Sequence, residues 1–227
     1  MKAKILILPG LDGTGKLLQR FVRIAPANVV CERVIYDDDL VTLDDFVNTV
    51  ANKLGGGDKK ILITESFSGP IAAQVALRYP DHIAAIIFVA SFVEPPHKSL
   101  LRLTHFMPKF LFGIERSALV RHFCLNGVRD ENIIDEALTV VRALRPVTIK
   151  RRFTVLDNLT GGKTMHSDIP VLSLCAATDR LMTSVATSSI TRMFPSTTRV
   201  DVKAPHFLLL TQPEECWHHI KHFLANN

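Results

Sequence analysis

Short unbroken apolar runs recur along this chain, and each leads through a turn into a stretch with helical spacing. Lys4 to Leu8 ends at Pro9 and Gly10, and Leu17, Leu18, Phe21 and Val22 then give Lys16 to Ile24 a helical face. A second run, Val29 to Tyr36, stops at Asp37, Asp38 and Asp39. Thr42 is placed to cap a helix over Leu43 to Leu54, in which Leu43, Phe46, Val47, Val50 and Leu54 share one face. Gly55, Gly56 and Gly57 stop it. Lys60 to Thr64, Ile83 to Val93, Val171 to Ala176 and Arg199 to Val202 supply four more strands. Helices are expected near Ser68 to Tyr79, Val185 to Met193 and Pro213 to Leu224. Strands that are apolar throughout are buried on both faces, and alternation with helices builds a parallel sheet covered on each side. The expected class is α/β.

The rhythm breaks between Glu94 and Asp168, a segment that opens on Pro95-Pro96 and carries helical apolar patterns but no convincing strand. It is too long and too patterned for a linker. The chain therefore divides into a core, residues 1–94 and 166–227, and a helical cap insertion, residues 95–165, lying over one edge of the sheet. Phe106, Met107, Phe110, Leu111 and Phe112 crowd the insertion, either as the wall of an apolar pocket or as the cap's own core. Charge is concentrated there too. Residues 97–152 hold 11 Lys+Arg against 5 Asp+Glu, whereas the remainder holds 16 against 17. An anionic substrate, an acidic partner or a solvated face would each account for that excess.

Several classes fall away at this point. At 47% hydrophobic and 22% charged, 227 residues suit one sizeable globular domain, not a disordered chain or a rod. The longest apolar run, Ile83 to Ala90, has eight residues, whereas a membrane span needs about 20, so none is expected. The opening run is too short for a secretory core segment and reads as a first strand. With one Trp, two Tyr and no nucleic-acid motif, nucleic acid is not an expected partner. Cys31, Cys124, Cys175 and Cys216 show no CxxC spacing, so reduced thiols in a cytoplasmic protein are expected. His218 and His222 are four apart on a helix, but no acidic or cysteine partner sits at a supporting spacing, and no metal or cofactor is expected.

The strongest chemical signal is ILITESFSGPIAAQVALRYP, residues 61–80. A strand runs through a sharp turn directly into a helix, with Ser66 at the apex. Such a turn pushes the serine hydroxyl out above the sheet edge, and the following helix offers unpaired amides and a positive dipole end. Small neighbours are needed there, and Thr64, Ser68 and Gly69 supply them. Ser68 is the second candidate nucleophile, with Pro70 then two residues beyond it. Glu65 precedes the apex and is placed to tune the site. The glycine-rich turn LILPGLDGTG, residues 6–15, admits two readings. Gly10, Gly15 and Lys16 fit part of a phosphate-binding loop, although Leu17 stands where that motif needs a Ser or Thr. Asp12 within the turn suits a turn-forming role, with substrate contact as the alternative.

Taken together, these segments resemble the α/β-hydrolase family. The elbow G-x-S-x-G is matched around Ser66 with both glycines replaced, by Thr64 and Ser68. By the same resemblance, the amides of Leu11 and Phe67 would form the oxyanion hole. IPVLSLCAATDRLMT, residues 169–183, places Asp179 at the family's acidic position, and VDVKAPHFLLLTQPEECW, residues 200–217, places His206 at its histidine. The order Ser66, Asp179, His206 is the family's own. The resemblance covers about 150 residues of the sheet portion. It implies an α/β-hydrolase fold of six parallel strands, ordered 2-1-3-4-5-6, without the antiparallel pair that usually precedes the oxyanion strand. It also implies a serine hydrolase for carboxylic esters of short to medium acyl chains, with a small-molecule ester as the partner. Three alternatives accompany that reading: a thioesterase or hydrolase on an acidic acyl carrier or coenzyme A, docked through the basic cap; an acyltransferase; and a ligand-binding protein with a silent triad.

Overall fold

The computed structural model describes residues 3–94, 114–159 and 168–227. Six strands, β1 (Ala3–Leu8), β2 (Val29–Arg33), β3 (Lys60–Glu65), β4 (Ile83–Val89), β5 (Val171–Ala176) and β6 (Thr198–Val202), form one sheet. Every pairing is parallel, as expected from the alternation of apolar runs with helices, and the order, β2-β1-β3-β4-β5-β6, is the one the family resemblance implied.

Successive side chains on a strand point to opposite faces, so the inner strands β1, β3, β4 and β5 feed two cores. On one face, Leu6, Leu8, Leu62, Ile86 and Phe88 pack under α2 (Leu43–Ala51), α3 (Gly69–Arg78) and α7 (Ser184–Met193). On the other, Ile5, Ile7, Ile61, Ile63, Ile87 and Leu174 pack under α1 (Gln19–Arg23), α8 (Leu208–Thr211) and α9 (Pro213–Ala225). There Phe21 stacks on Trp217 at 4.4 Å, and the indole N–H donates to the Phe21 carbonyl at 2.8 Å.

Three helices are described between β4 and β5, in the segment expected to form the insertion: α4 (Ile114–Cys124), α5 (Glu131–Ala143) and α6 (Pro146–Asp157). Val155 and Leu156 of α6 join the first core, whereas Ile133, Ile134 and Leu138 of α5 close a third cluster over Leu17 and Leu210. Phe106, Met107, Phe110, Leu111 and Phe112 lie outside the described residues.

The element ends depart from the sequence pattern for identifiable reasons. The helix expected from Lys16 starts at Gln19, because Gly13 and Gly15 both take φ of 65° and wind residues 10–18 into consecutive tight turns. β4 stops at Val89, short of the expected Val93, because Ala90 turns into the left-handed region at φ 43°. Thr42 caps α2 as expected, in a reciprocal box with Asp45 that satisfies two otherwise unpaired amides. The short helix α8 was not foreseen; its four residues fill the turn between His206 and α9.

Candidate active site

β3 is hydrogen-bonded on both sides up to its last residues, and the chain must then reverse into α3 within one turn of 3-10 helix, Ser66–Ser68. That geometry puts Ser66 at φ 46°, a left-handed conformation costing a non-glycine residue about 1–3 kcal/mol. Three contacts hold it. The Ser66 carbonyl accepts a bond from the Ser91 hydroxyl at 2.7 Å. Phe67 is buried edge-on to Phe46, with ring centroids 5.2 Å apart. Gly69 packs so tightly that a Cβ there would run into the Phe92 carbonyl and the Ser91 hydroxyl. The position that must be glycine is thus Gly69, and Ser68 fills the place where the family motif has its second glycine.

Ser68 is fully buried and faces away from the site. Its hydroxyl donates to the Pro9 carbonyl and shares a 2.9 Å bond with the Tyr36 hydroxyl. Ser66, by contrast, has its Oγ 2.9 Å from His206 Nε2. His206 Nδ1 lies 2.7 Å from Asp179 Oδ2, and the other oxygen, Oδ1, accepts the amides of Leu181 at 2.7 Å and Met182 at 2.9 Å. The loops carrying the two acid–base partners are tied together, Thr178 N–H donating to the Ala204 carbonyl at 3.1 Å. The end of α4 and the turn after it touch both: Phe207 N–H donates to the Cys124 carbonyl at 3.2 Å, and the Asn126 side-chain amide to the Thr178 carbonyl at 3.0 Å.

The β1 turn lies against the elbow, since a Cβ on Gly10 would be 3.9 Å from Ser66 Cβ and 3.4 Å from Glu65 Oε2. Leu11 follows Gly10 and Phe67 follows Ser66, so the two residues whose amides were expected to face an oxyanion lie on the two turns that meet here. Every carbonyl from Pro9 to Gly13 accepts a hydrogen bond. The donors are the Ser68 hydroxyl, the Gly13 amide at 3.1 Å, Arg152 at 2.7 Å to both Leu11 and Asp12, and the Tyr36 amide at 2.9 Å. Asp12 takes the turn-forming role: its carboxylate accepts the Thr14 amide at 2.9 Å and the Thr14 hydroxyl at 2.6 Å. The helix after this turn begins three residues beyond Lys16, so the strand–loop–helix cradle of a phosphate loop is not formed.

Burial and charge set the protonation states. Burial works against Asp179 ionisation, but the charge and hydrogen bond of His206 and the two amides outweigh it and hold the carboxyl below its ordinary range. For His206, burial disfavours the cation, yet the Asp179 charge and bond, with the Glu65 charge, raise its pKa above the ordinary 6.5. Glu65 is buried directly behind Ser66, and burial, with the Asp12 charge, raises it from 4.5 to about 7. Burial also pushes the Cys124 thiol up to about 12, which keeps it neutral beside Asp179 and Glu65. Among the described residues, no group of His, Cys, Asp and Glu is arranged to hold a metal ion, His218 and His222 included. The four cysteines are free thiols. No helix among the described residues is long and apolar enough to cross a membrane.

One buried participant escaped the sequence pattern. Arg152 sits in a Lys150-Arg151-Arg152 run that reads as solvated charge, yet it is 1% exposed. The signal was its spacing: Thr148, Ile149, Val155 and Leu156, three and four residues to either side, are all buried on the same helix face.

The sequence profile of the alpha/beta hydrolase fold family matches residues 8–119, from the end of β1 to α4. No curated protein sequence matches the chain. Among solved structures, a thermophilic esterase from Thermogutta terrifontis superposes with TM-score 0.83 at 16% identity, covering 100% of this chain and 90% of that one. A hydrolase from Pseudomonas aeruginosa gives 0.84 at 12% identity, covering 98% and 90%. The enol-lactonase from Burkholderia xenovorans gives 0.79 at 11% identity, covering 99% and 92%.

Proposed function

The chain belongs to the α/β-hydrolase family, and we propose that it is a serine hydrolase cleaving carboxylic esters of short to medium acyl chains through an acyl-enzyme. The observation that carries this reading is the unbroken relay from Ser66 Oγ to His206 Nε2 at 2.9 Å and from His206 Nδ1 to Asp179 Oδ2 at 2.7 Å. A serine hydroxyl is a weak nucleophile at neutral pH and needs an adjacent base. His206 removes the Ser66 proton as Oγ attacks the acyl carbon, then returns it to the departing alkoxide. Asp179, held ionised, fixes the imidazole tautomer and stabilises the imidazolium. The negative charge that forms on the carbonyl oxygen is met by the Leu11 and Phe67 amides, each worth about 3 kcal/mol of barrier. Water activated by His206 then attacks the acyl-enzyme and frees Ser66. The insertion, residues 95–165, serves as the cap over this site.

Likeness to an esterase and to an enol-lactonase, both of which open ester bonds, supports the reaction type. A carrier-linked acyl substrate rests only on the positive excess of residues 97–152. Arg116 and Arg152 of that excess are buried, and Arg121 and Arg145 are paired with Glu131 and Asp38.

The test is hydrolysis of p-nitrophenyl esters from acetate to palmitate by the protein, Ser66→Ala and Ser68→Ala. Turnover favouring the shorter chains, abolished in Ser66→Ala and retained in Ser68→Ala, is expected. Loss confined to Ser68→Ala, or a folded native protein that turns over no ester, would overturn the proposal.

A further inference from the structure

Arg152 is the largest fully buried side chain in the described molecule, and it comes from the insertion rather than the sheet. A guanidinium carries five N–H donors in a planar fork and stays charged, so burying it costs several kcal/mol unless carbonyls and carboxylates surround it. Here its Nη1 donates to Leu11 O and Asp12 O, both at 2.7 Å, and Nη2 to Tyr36 O at 3.3 Å. Asp38 lies 3.8 Å from Nη2, and Asp12 adds a buried negative charge. Gly13 faces the guanidinium directly, and a Cβ there would collide with it. All of this is concentrated on the turn whose Leu11 amide is the oxyanion donor of the proposed reaction.

The consequence follows from peptide geometry. In a trans peptide the C=O and the N–H point in opposite directions, so fixing one aims the other. The Gly10 carbonyl, which shares its peptide with the Leu11 amide, is bound by Gly13 N–H at 3.1 Å. That bond closes only while Leu11 and Asp12 stay folded between them, and Arg152 grips both of their carbonyls. The helix itself has other anchors. Val155, Leu156 and Leu159 sit in the main core, and the Arg151 guanidinium bonds the Asp38 carbonyl at 2.8 Å. Losing the Arg152 fork therefore frees the turn without releasing α6.

Resting on the serine-hydrolase reading, we propose that Arg152 is a positioning residue, reaching from the insertion to aim the Leu11 amide at the oxyanion. Displacing a catalytic group by about 1 Å costs on the order of 100-fold in rate. Arg152→Met keeps the length and apolar stem but removes the fork. Arg152→Lys keeps the charge but cannot bridge three carbonyls with a planar array.

The experiment counts active sites first, by the p-nitrophenol released stoichiometrically when diethyl p-nitrophenyl phosphate reacts with the native protein and both variants. The kcat and KM for p-nitrophenyl acetate are then expressed per titrated site. Finally, Ki is measured for an aryl trifluoromethyl ketone. Ser66 adds to that carbonyl carbon, its proton passes to His206, and the carbonyl π electrons become the oxyanion.

For Arg152→Met the expected result is a kcat per site about 10- to 100-fold lower, with KM within about threefold and Ki for the ketone raised in step with the loss. Arg152→Lys falls between, and is the variant to read if Arg152→Met does not fold. Fewer sites but unchanged kcat per site and unchanged Ki would make Arg152 a purely structural anchor and overturn the inference. A native protein with turnover but a raised KM alone in the variants would overturn it as well. A folded native protein with no titratable serine would instead overturn the underlying hydrolase reading, and the inference with it.

Discussion

The sheet and the insertion are held in place by different chemistry. The inner strands β1, β3, β4 and β5 are fixed by apolar side chains on both faces and by ladder bonds to their neighbours, so their geometry is set by the burial of Leu62, Ile86, Phe88, Ile87 and their like. The described helices of the insertion also bury apolar residues, but the joints that fix their orientation include two buried arginines on backbone carbonyls. Arg116 donates to Val141 O at 2.8 Å and Leu144 O at 2.9 Å, closing the end of α5, and Arg152 grips the turn after β1. Hydrophobic burial is non-directional and tolerates small shifts, whereas a guanidinium fork demands angle as well as distance. The sheet thus provides a rigid edge for the hydrogen-bonded Ser66, His206 and Asp179, and the insertion adds directional contacts to the loops around them.

If the triad depends on the sheet edge, the largest effect should come from a change that leaves the edge intact and alters only the relay. Asp179→Asn keeps the loop's shape but favours the wrong imidazole tautomer. A fall in kcat of about 10⁴-fold is expected, with the melting temperature little changed. A fall below tenfold would mean that His206 is held by other contacts. Phe88→Ala tests the other side of the comparison. Phe88 is fully buried in β4 and meets Phe194 at 5.7 Å, so truncation should cost about 3–5 kcal/mol of global stability by denaturant titration. Amides throughout the sheet should lose protection together; loss confined to β4 would contradict a sheet acting as one unit.

The contrast between the regions also explains what could be read without coordinates. The parallel sense was legible because continuous apolar runs alternate with helices, the strand order only through the family resemblance, and Val171–Ala176 was delimited to the residue. Ser66 was legible at the apex of a strand–turn–helix pattern, Asp179 and His206 through the family resemblance, and the structure links the three by hydrogen bonds. Arg152 and Arg116 were not, because a charged side chain reads as solvent-facing until its partners are known, and carbonyl partners leave no trace in a sequence. The same blindness applied to Glu65. Its place before the serine was visible, but its complete burial against Gly10 follows from the elbow's geometry.

Glu65 supplies the next test, since it lies on the sheet side yet carries charge. Burial, followed by the Asp12 charge, raises its pKa from 4.5 to about 7. A group raised in the folded state contributes most stability below its unfolded pKa and loses that contribution as pH rises through the folded one. Folding should therefore weaken between about pH 4.5 and 7, by about 3 kcal/mol from this group. Glu65→Gln should remove most of that decline, read as the difference in unfolding free energy between pH 5 and pH 8. The Glu65 charge is also one of the influences raising His206. The acid limb of kcat/KM, where His206 must lose its proton to act as base, should therefore move to lower pH in the variant. An unmoved limb would show that the two groups do not feel each other.

The smallest expected effect belongs to Arg116, and it bears most directly on how the insertion is joined. Arg116 reaches from α4 to the last carbonyls of α5, where the Leu144 backbone has already turned to an extended conformation. Carbonyls at a helix end have no partner within the helix, and a cation there also opposes the dipole's negative end. Arg116→Met preserves the side chain's bulk and removes both Nη1 hydrogen bonds, at a cost of about 1–3 kcal/mol. Because the sheet owes nothing to this bond, the loss should stay local. Hydrogen exchange of the amides in 131–143 should quicken by about 10-fold or more, while those of β1, β3 and β4 keep their protection. Equal acceleration in the sheet would mean that the insertion unfolds only with the core, and the two regions would then be one cooperative unit despite their different chemistry.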